Sequence, residues 1–285
     1  MYSRLVLPAP AKINRFLHIT GRRADGYHNL QTLFQFLDYS DLLTFEASSE
    51  LVLETSVPEL DSPTNLIIRA AKLLQQVSGC NKGVKITLDK RLPMGGGVGG
   101  GSSDAATTLV ALNVIWELGL DENELAALGL QLGADVPVFV RGRSAFAEGV
   151  GEQLTPMSPS EPWFLVLTPD VHVNTMAMYQ HEDLTRDTQP IKVFAAIDQQ
   201  GRNDFEPLVR RLYPEVEKSL NLLDNFGHSS TGPAMMSGSG ACVFAPYASK
   251  EAAESVLAEL GCKAKGFVAC GINRSPLQSA LSSYL

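Results

Sequence analysis

Six glycines occupy seven consecutive positions in the first half of the sequence, at residues 95–101, within the stretch PMGGGVGGGSSDAA. Glycine permits positive φ angles, and it lets backbone N–H groups approach a ligand without a Cβ in the way. An alanine-rich helix is predicted directly after these residues, at about 103–118, and the N-terminus of a helix carries a partial positive charge. The pattern therefore predicts a seat for an anion, of the kind that holds a phosphate group.

Three other interpretations of the glycine-rich stretch are weaker. A Walker A loop needs a lysine after its last glycine, and none follows here. The dinucleotide fingerprint G-x-G-x-x-G matches at Gly95, Gly97 and Gly100, but no strand precedes it directly, and no strand ending in an acidic residue follows about 20 residues later. A plain flexible linker would not end in two serines and a strongly patterned helix.

Composition and charge narrow the classes of function. The chain has 31 acidic and 23 basic residues and a net charge of −8, which argues against binding to nucleic acid or to an acidic membrane surface. No apolar run approaches the roughly 18 residues of a membrane span, and the N-terminus lacks a signal-peptide layout, so a cytoplasmic protein is expected. Four cysteines without a C-x-x-C pair favour buried thiols over a redox or zinc role. Because the chain as a whole is negatively charged, any phosphate must be bound by local groups: backbone N–H groups, a few cationic side chains and a metal ion.

Hydrophobic periodicity predicts strands and helices in both halves of the chain, with a proline-rich break between them. Strands are expected at residues 4–7, 16–20, 30–37, 42–46, 51–54, 84–88, 137–140, 144–148, 163–168 and 267–269, and around Met235 and Val243. Helices are expected at residues 65–77, 103–118, 121–132, 173–181, 191–199, 207–225 and 249–260, the third opened by a capping box of Asp121 and Glu124. Pro156, Pro159 and Pro162 divide the chain into predicted domains 1–158 and 159–285.

Three motifs, in order along the chain, resemble those of the GHMP kinases, the superfamily of galactokinase, homoserine kinase, mevalonate kinase and phosphomevalonate kinase. They are PAPAKIN at residues 8–14, the glycine-rich stretch, and MSGSGACVF at residues 236–244. The resemblance implies a two-domain α+β fold, with an N-terminal ATP-binding domain of mixed sheet and helices, and a C-terminal substrate domain that is a ferredoxin-like α/β sandwich. It also implies ATP and Mg²⁺ as cofactors. The residues expected to bind ATP are Pro93, Met94, Gly95, Gly96, Gly97, Val98, Gly99, Gly100, Gly101, Ser102 and Ser103.

Within that superfamily, residues 10–32 resemble the opening of one branch, whose members phosphorylate the 2-hydroxyl of 4-diphosphocytidyl-2-C-methyl-D-erythritol in the non-mevalonate isoprenoid pathway. The Gly-Glu-His segment of mevalonate kinases and galactokinases is absent from the sequence. The likeness continues at residues 92–106, 132–139, 145–152 and 266–276, and it is weak from about 172 to 233. Arg15 stands where that branch usually has an apolar residue, and its side chain is expected to face either the core or the cleft.

The resemblance assigns roles to single residues. It implies Lys12 as a cation beside Asp135, which would accept the proton of the attacking hydroxyl, with Asn14 holding the substrate nearby. The other residues expected at the substrate are Tyr27 stacked on the cytosine, His28 at its edge, Tyr179 on its other face, Thr175 or Asn174 at the diphosphate, and Ser239 and Gly240 near the phosphates. A buried Lys12 paired with Asp135 is the simplest way to keep that base ionised.

Most of these residues also have a plain structural interpretation. Asp135 lies between Gly133 and Pro137, a setting that is typical of turns. Residues 25–28 are compatible with an ordinary turn, and residues 237–240 with a hairpin turn. Asp104, Ser102 and Ser103 could ligate Mg²⁺ or cap a helix equally well, so the metal ligands stay open.

Two alternative functions stay open beside the branch assignment. One is another GHMP kinase, and the other is a non-catalytic metabolite-binding member of the fold, which would keep the glycines and lose the base. The presence of both Lys12 and Asp135 speaks against the second. The expected partner is a small-molecule substrate, with no nucleic acid and no membrane, and the expected state is a monomer or weak homodimer. Sequence patterns of zinc and serine hydrolases are absent.

Overall fold

The structure is a computed structural model, and it describes residues 4–193, 202–226 and 229–284. Its strands are β1 (Arg4–Arg22), β2 (His28–Glu46), β3 (Leu51–Thr55), β4 (Val84–Asp89), β5 (Ala145–Glu148), β6 (Gln153–Pro156), β7 (Trp163–Leu167), β8 (Met235–Met236), β9 (Val243–Tyr247) and β10 (Gly266–Ile272). Its α-helices are α1 (Leu66–Ser78), α2 (Gly100–Ile115), α3 (Glu122–Leu132), α4 (Val136–Arg141), α5 (Thr175–Gln180), α6 (Glu206–Leu212), α7 (Pro214–Phe226), α8 (Lys250–Leu260) and α9 (Pro276–Ser282). None of the helices in these ranges is long and apolar enough to cross a membrane.

Strands β1 and β2 form a long antiparallel hairpin. Arg4 pairs with Glu46 at one end, and Arg22 pairs with His28 at the other. The sequence pattern predicted four shorter strands here, two on each side of the hairpin. Pro8 is tolerated inside β1 because that strand pairs with β2 along one edge, and a proline can occupy an edge strand. Shifts in register, between Pro10 and Lys12 and again further along, let the strand bend without ending.

One mixed sheet joins the two halves of the chain. Its order is β3-β4-β2-β10-β7-β9-β8, with β1 and β5 also paired to β2, and β6 paired to β5. Strands β3 and β4 are parallel, and the remaining pairs are antiparallel. Strand β10 joins the halves, since Gly271 pairs with Leu37 of β2 and Gly266 pairs with Leu167 of β7. The architecture agrees with the predicted combination of a mixed sheet and helices.

Two hydrophobic cores flank the sheet. The first includes Phe36, Leu112 and Phe139, from β2, α2 and α4, and the second includes residues of β7, β9, α6, α7 and α8. Helix α9, which the sequence pattern did not predict, returns to the first core through Leu277 and Leu281. The domain division into 1–158 and 159–285 stays a prediction, and the return of α9 is a feature that it did not include.

The strand predicted at residues 137–140 is wrong, because these residues belong to helix α4. All five residues 136–140 are buried, and a short apolar run buried on every side has no period that separates a strand from a helix. Pro137 lies in the first helical turn, where the missing N–H breaks no helical hydrogen bond.

The helix predicted at 207–225 is divided into α6 and α7, the second of which begins at Pro214.

Other helix boundaries follow the sequence closely. The predicted capping box is present at α3, since Asp121 Oδ1 accepts a hydrogen bond from Glu124 N at 2.9 Å and Asp121 N donates to Glu124 Oε2 at 2.8 Å. The helix predicted at 191–199 lies mostly outside the described residues. Its first two residues, Ile191 and Lys192, are not helical. The capping box therefore predicted the start of α3 correctly.

Candidate active site

A cavity of about 680 Å³ lies where the two halves of the chain meet, with walls from β1, the glycine-rich residues, the start of α4, helix α5 and the turn at residues 238–240. The predicted site residues that line it are Lys12, Asn14, Pro93, Met94, Gly95, Gly96, Gly97, Gly99, Gly100, Gly101, Ser102, Asp135, Thr175, Tyr179, Ser239 and Gly240. Five other predicted residues, Tyr27, His28, Val98, Ser103 and Asn174, are not part of the lining. The fold thus brings residues of all three sequence motifs into one cavity.

The glycine loop, residues 95–101, wraps one wall of the cavity and leads directly into α2. Gly95, Gly97 and Gly99 have φ angles of +66°, +77° and +77°, which favour glycine. Helix α2 begins at Gly100, three positions earlier than predicted, so the last two glycines form part of its first turn. Their N–H groups are therefore among those that a helix leaves unpaired at its N-terminus, where an anion binds best. Val98, the loop's one residue with a side chain, is buried in a core cluster and anchors the loop.

The glycine loop touches a second glycine-rich turn, residues 236–240, of which residues 238–240 also line the cavity. Ser237 Oγ donates a hydrogen bond to Gly97 O at 2.9 Å, and Cys242 N donates to Gly96 O at 3.0 Å. A Cβ built on Gly97 would lie 2.1 Å from Ser237 O, which is far inside any real contact distance. The two backbones can therefore approach this closely only because Gly97 has no side chain.

Lys12 forms the predicted ion pair with Asp135 at the floor of the cavity, with 3.2 Å between Nζ and Oδ2. The Lys12 side chain is 3% exposed and that of Asp135 is 34% exposed, so the ammonium is buried while the carboxylate faces the cavity. Lys12 Nζ also donates to Asn14 Oδ1 at 2.6 Å and to Gly97 O at 3.1 Å. Asn14 is fixed in turn by its own amide nitrogen, which donates to Thr32 Oγ1 at 2.8 Å. The lysine thus has three acceptors for its three N–H groups.

Aromatic side chains gather beside the cavity at the end of β1 and β2. The rings of His28 and Tyr179 stack with centroids 5.0 Å apart. The rings of Tyr179 and Phe205 pack edge to face, with centroids 4.8 Å apart. Arg186, which the sequence analysis did not single out, donates from Nε to His28 Nε2 at 3.1 Å. Burial, together with the nearby Arg186 and Arg22, lowers the pKa of His28. A neutral imidazole that accepts at Nε2 is consistent with that direction.

Tyr27 differs from the other predicted substrate residues because it stands in solvent. Its side chain is 65% exposed, at a turn in which Tyr27 N donates to Asp25 Oδ1 at 3.1 Å. Thr175 and Ser239, by contrast, line the cavity, and Thr175 Oγ1 lies 2.6 Å from Ser239 Oγ. Asn174 caps helix α5. The structure therefore groups Thr175 with Ser239, and it pairs His28 with Tyr179, but it leaves Tyr27 apart from both groups.

A buried triad of charges, Asp41, Lys90 and Asp104, adjoins the glycine loop at Gly100, and Lys90 and Asp104 line the cavity. Lys90 Nζ is 2.6 Å from Asp41 Oδ2 and 2.8 Å from Asp104 Oδ2. Asp41 Oδ1 also accepts from the backbone N–H groups of Arg91 and Leu92, at 2.6 and 2.7 Å, and so fixes the approach to the loop. No local spacing links the three residues, and residues 38–41 were left between two predicted strands, which is why the sequence analysis missed this triad.

Two roles were considered for Asp104, helix capping and Mg²⁺ binding. The start of α2 excludes the first of them. The N-cap of α2 is Gly99, so the capping roles considered for Ser102, Ser103 and Asp104 are wrong. One carboxylate oxygen of Asp104 is paired with Lys90, and its Oδ1 is buried without a hydrogen-bond partner. Burial raises the pKa of Asp104 to about 7, although the charge of Lys90 opposes the shift. One ammonium shared by two buried carboxylates leaves one of them poorly compensated.

Within the described ranges, no group of three or more His, Cys, Asp or Glu side chains could hold a metal ion. Mg²⁺ at phosphate-transfer sites usually takes one or two protein oxygens together with phosphate oxygens and waters. Of the three residues considered for Mg²⁺, Ser102 and Asp104 line the cavity and carry side-chain oxygens of that kind, and Ser103 does not line it. The residues present therefore fit a magnesium ion that arrives with a phosphate ligand rather than one held in a protein cage.

Arg15 lies neither in a core nor at the cavity. Its Nη1 donates to Gln35 Oε1 at 3.0 Å and to Ser160 O at 3.2 Å, and its guanidinium stacks 5.8 Å from the centre of the Phe164 ring. Burial lowers its pKa. The side chain thus fastens β1 to the proline-rich connection between the halves, which explains why a cation is tolerated there.

Comparison with known proteins gives consistent matches along the chain. The model of the GHMP kinase N-terminal domain matches residues 65–143, and that of the GHMP kinase C-terminal domain matches residues 184–266. The 4-diphosphocytidyl-2-C-methyl-D-erythritol kinase of Pseudomonas savastanoi pv. phaseolicola is 57% identical, over 98% of this chain and 96% of that protein. The kinase of the same name from Pseudomonas fluorescens is 55% identical, with 99% of each chain covered.

Solved structures agree with these matches. A crystal structure of 4-(cytidine 5'-diphospho)-2C-methyl-D-erythritol kinase has a TM-score of 0.82 and 33% identity, and the match covers 94% of this chain and 99% of that chain. A mevalonate kinase structure has a TM-score of 0.69 at 15% identity, over 95% of this chain and 100% of that chain, which shows a shared fold. The predicted fold class is thereby confirmed.

The contact between the two glycine turns predicts a specific sensitivity to a single methyl group. Gly97→Ala is expected to lower the free energy of unfolding by about 1 to 3 kcal/mol, because the residue has a positive φ and its Cβ would meet a backbone carbonyl. Gly101→Ala is the matched control, since its Cβ would lie 3.6 Å from Leu66 Cδ1, and its effect should stay within about 1 kcal/mol. Urea unfolding of both variants measures the difference, and equal stabilities would contradict the close approach.

The buried triad predicts a dependence of stability on pH. Because the folded-state pKa of Asp104 lies above its ordinary value of 3.8, the folded protein binds the extra proton, and this contribution to stability is lost as pH rises toward about 7. Asp104→Asn should therefore gain stability relative to the unmodified protein between pH 4 and about pH 7. Asp224→Asn, at an exposed position, controls for the loss of one negative charge. Parallel stability curves for Asp104→Asn and the unmodified protein would contradict the prediction.

Proposed function

The chain belongs to the 4-diphosphocytidyl-2-C-methyl-D-erythritol kinases of the GHMP kinase superfamily, and on this premise we propose that it transfers the γ-phosphate of ATP to the 2-hydroxyl of 4-diphosphocytidyl-2-C-methyl-D-erythritol. The observation that carries the proposal is the pair of Lys12 and Asp135, 3.2 Å apart on the floor of a cavity whose wall is the glycine loop. A non-catalytic member of the fold would have no need of a base facing this wall.

Phosphoryl transfer asks mainly for positioning and charge stabilisation from a protein. Positioning can supply about 7 to 11 kcal/mol, whereas a helix terminus contributes about 0.3 to 2 kcal/mol. A cation and a metal ion must therefore balance most of the phosphate charge. In the proposed reaction Asp135 accepts the proton of the attacking hydroxyl, and Lys12, which is paired with that carboxylate, faces the transferred group. Asn14 supports this role by holding Lys12 Nζ at 2.6 Å.

We place the triphosphate of ATP on the glycine loop and on the N-terminus of α2, where unpaired N–H groups point into the cavity. Mg²⁺, when bound to the nucleotide, would neutralise phosphate charge, with Ser102 and Asp104 supplying protein oxygens. The cavity continues past the loop to Leu60, Asn65 and Leu66, which line its far end. This end is mainly apolar, because the amide of Asn65 is bonded to Leu60 O and Ile67 N, and it is the proposed site of the adenine.

The cytidine is proposed to bind at the aromatic end of the cavity. Its ring would lie between Tyr27 and Tyr179, with His28 at its edge, and Thr175, Asn174, Ser239 and Gly240 would approach the phosphates. The exposure of Tyr27 supports this proposal, because a side chain that stands in solvent is free to close over a ligand. The stacked pair of His28 and Tyr179 offers a preformed partner surface.

The same proposal covers the setting of the enzyme. We propose domains 1–158 for ATP and 159–285 for the substrate, activity in the cytoplasm as a monomer or weak homodimer, and no nucleic-acid partner, which the net charge of −8 supports. The second candidate is another GHMP kinase activity, such as mevalonate or homoserine phosphorylation. Structures of those enzymes match at 15% and 16% identity, against 33% for the cytidylated branch.

A coupled ADP-release assay tests the substrate. The cytidylated substrate, mevalonate and homoserine are offered in parallel at matched concentrations with MgATP. We expect turnover of the cytidylated substrate and none above background for the other two. Preference for mevalonate or homoserine would overturn the substrate assignment while leaving the kinase fold intact.

Asp135→Asn tests the base. The amide cannot accept the proton, so kcat should fall by at least about 10²-fold, the usual contribution of a positioned acid or base, with little change in KM. Tyr27→Ala serves as the contrasting variant, because loss of a binding residue should mainly raise KM for the cytidylated substrate. The reverse pattern, with KM changed by Asp135→Asn and kcat by Tyr27→Ala, would show that the two roles had been exchanged.

A further inference from the structure

Asn203 lies directly behind the second glycine turn and is 2% exposed. Its Nδ2 donates two hydrogen bonds into that turn, to Met236 O at 2.9 Å and to Gly238 O at 2.7 Å. Its Oδ1 accepts from Phe205 N at 3.0 Å. Asn203 does not line the large cavity, so any effect on the reaction must pass through the turn that it holds.

The chemistry of the amide fixes its orientation. Two carbonyl oxygens face Nδ2 and one N–H faces Oδ1, so a flipped amide would oppose acceptor to acceptor and donor to donor. Both carbonyl groups belong to buried residues, Met236 and Gly238, and a buried carbonyl without a donor is destabilising. Of the common side chains near this size, asparagine alone supplies two donors and one acceptor in this geometry.

The residues that follow Asn203 fasten the same turn to β1. Glu206 Oε2 accepts from Met236 N at 3.0 Å, so both backbone groups of Met236 are held from this segment. Asp204 Oδ2 accepts from Ile19 N at 2.7 Å, and Asp204 N donates to Leu17 O at 2.8 Å. Residues 203–206 therefore connect the second glycine turn to the strand that carries Lys12 and Asn14.

The turn in question makes three contacts that bear on the phosphate seat. Ser237 Oγ donates to Gly97 O at 2.9 Å and accepts from Asn14 N at 3.3 Å. A Cβ on Gly238 would lie 3.2 Å from Gly97 O, which shows how tightly the two backbones pack. Gly97 O is also an acceptor for Lys12 Nζ. Movement of the turn would thus disturb the glycine loop and the catalytic lysine together.

We propose that Asn203 is a positioning residue, which holds the second glycine turn against the glycine loop and so sets the geometry of phosphoryl transfer. This inference rests on the proposed function for its effect on rate. Its effect on the turn itself does not depend on which substrate is phosphorylated.

Asn203→Asp is the discriminating variant. Aspartate keeps the size of the side chain and the acceptor for Phe205 N, but it replaces both donors with an oxygen that faces two carbonyl groups. We expect kcat to fall by about 10²-fold, the loss typical of a misplacement near 1 Å, while KM for the cytidylated substrate changes by less than about threefold. Asn203→Ser keeps one donor and should give a smaller loss of kcat.

Asn113→Asp is the matched control. Asn113, in the last turn of α2, bridges both backbone groups of Leu120, at 2.9 and 3.0 Å, and neither residue lines the cavity. This variant should lose stability without losing kcat. Equal kcat values for Asn203→Asp and the unmodified protein, or equal losses of kcat in Asn203→Asp and Asn113→Asp, would overturn the proposal.

Hydrogen exchange of the amides at residues 236–242 gives a readout that requires no activity. Exchange should speed up in Asn203→Asp and Asn203→Ser and stay unchanged in Asn113→Asp. Unchanged exchange in the Asn203 variants would contradict the proposal even if their rates fell. If the unmodified protein failed to turn over the cytidylated substrate, the proposed function would fail, whereas the exchange data would still decide whether Asn203 holds the turn.

Discussion

The buried ammonium of Lys12 is the interaction on which the rest of the site depends. A charge taken out of water must be matched by partners, because an isolated buried ion costs far more than a protein's net stability. Lys12 obtains its partners from three parts of the chain: Asn14 on its own strand, Gly97 in the glycine loop, and Asp135 before α4. One side chain therefore fixes a strand, a loop and a helix start relative to one another, and the carboxylate that completes the set is the one that faces the cavity.

Close backbone contact is the second constraint, and it links the halves of the molecule. Gly97 packs where no Cβ fits, a Cβ on Gly238 would be tight against Gly97 O, and Ser237 joins the two turns through its hydroxyl. The glycines of this protein thus have two uses: some expose N–H groups at the start of α2, and others let a second turn press against the first. Asn203 donates two hydrogen bonds to that second turn, and the turn in turn contacts the glycine loop at the proposed phosphate site.

The sequence predicted best those features that depend on local chemistry or on a resemblance. The helix that follows the glycine loop, the capping box of α3 and the pair of Lys12 with Asp135 are all present. Features that depend on distant pairs escaped prediction. The triad of Asp41, Lys90 and Asp104, and the bonds of Asn203 to the second glycine turn, join positions that share no local period. Helix α4 was taken for a strand because an apolar run buried on all sides has no period to distinguish the two.

The most direct test of the central claim is a structure of the protein with a non-hydrolysable ATP analogue, Mg²⁺ and the cytidylated substrate. The phosphates should lie on the glycine loop, and the 2-hydroxyl of the substrate should lie within about 2.6 to 3.2 Å of an Asp135 carboxylate oxygen, in line with the γ-phosphorus. A hydroxyl bound away from Asp135, or phosphates bound away from the glycine loop, would contradict the role of the Lys12 and Asp135 pair.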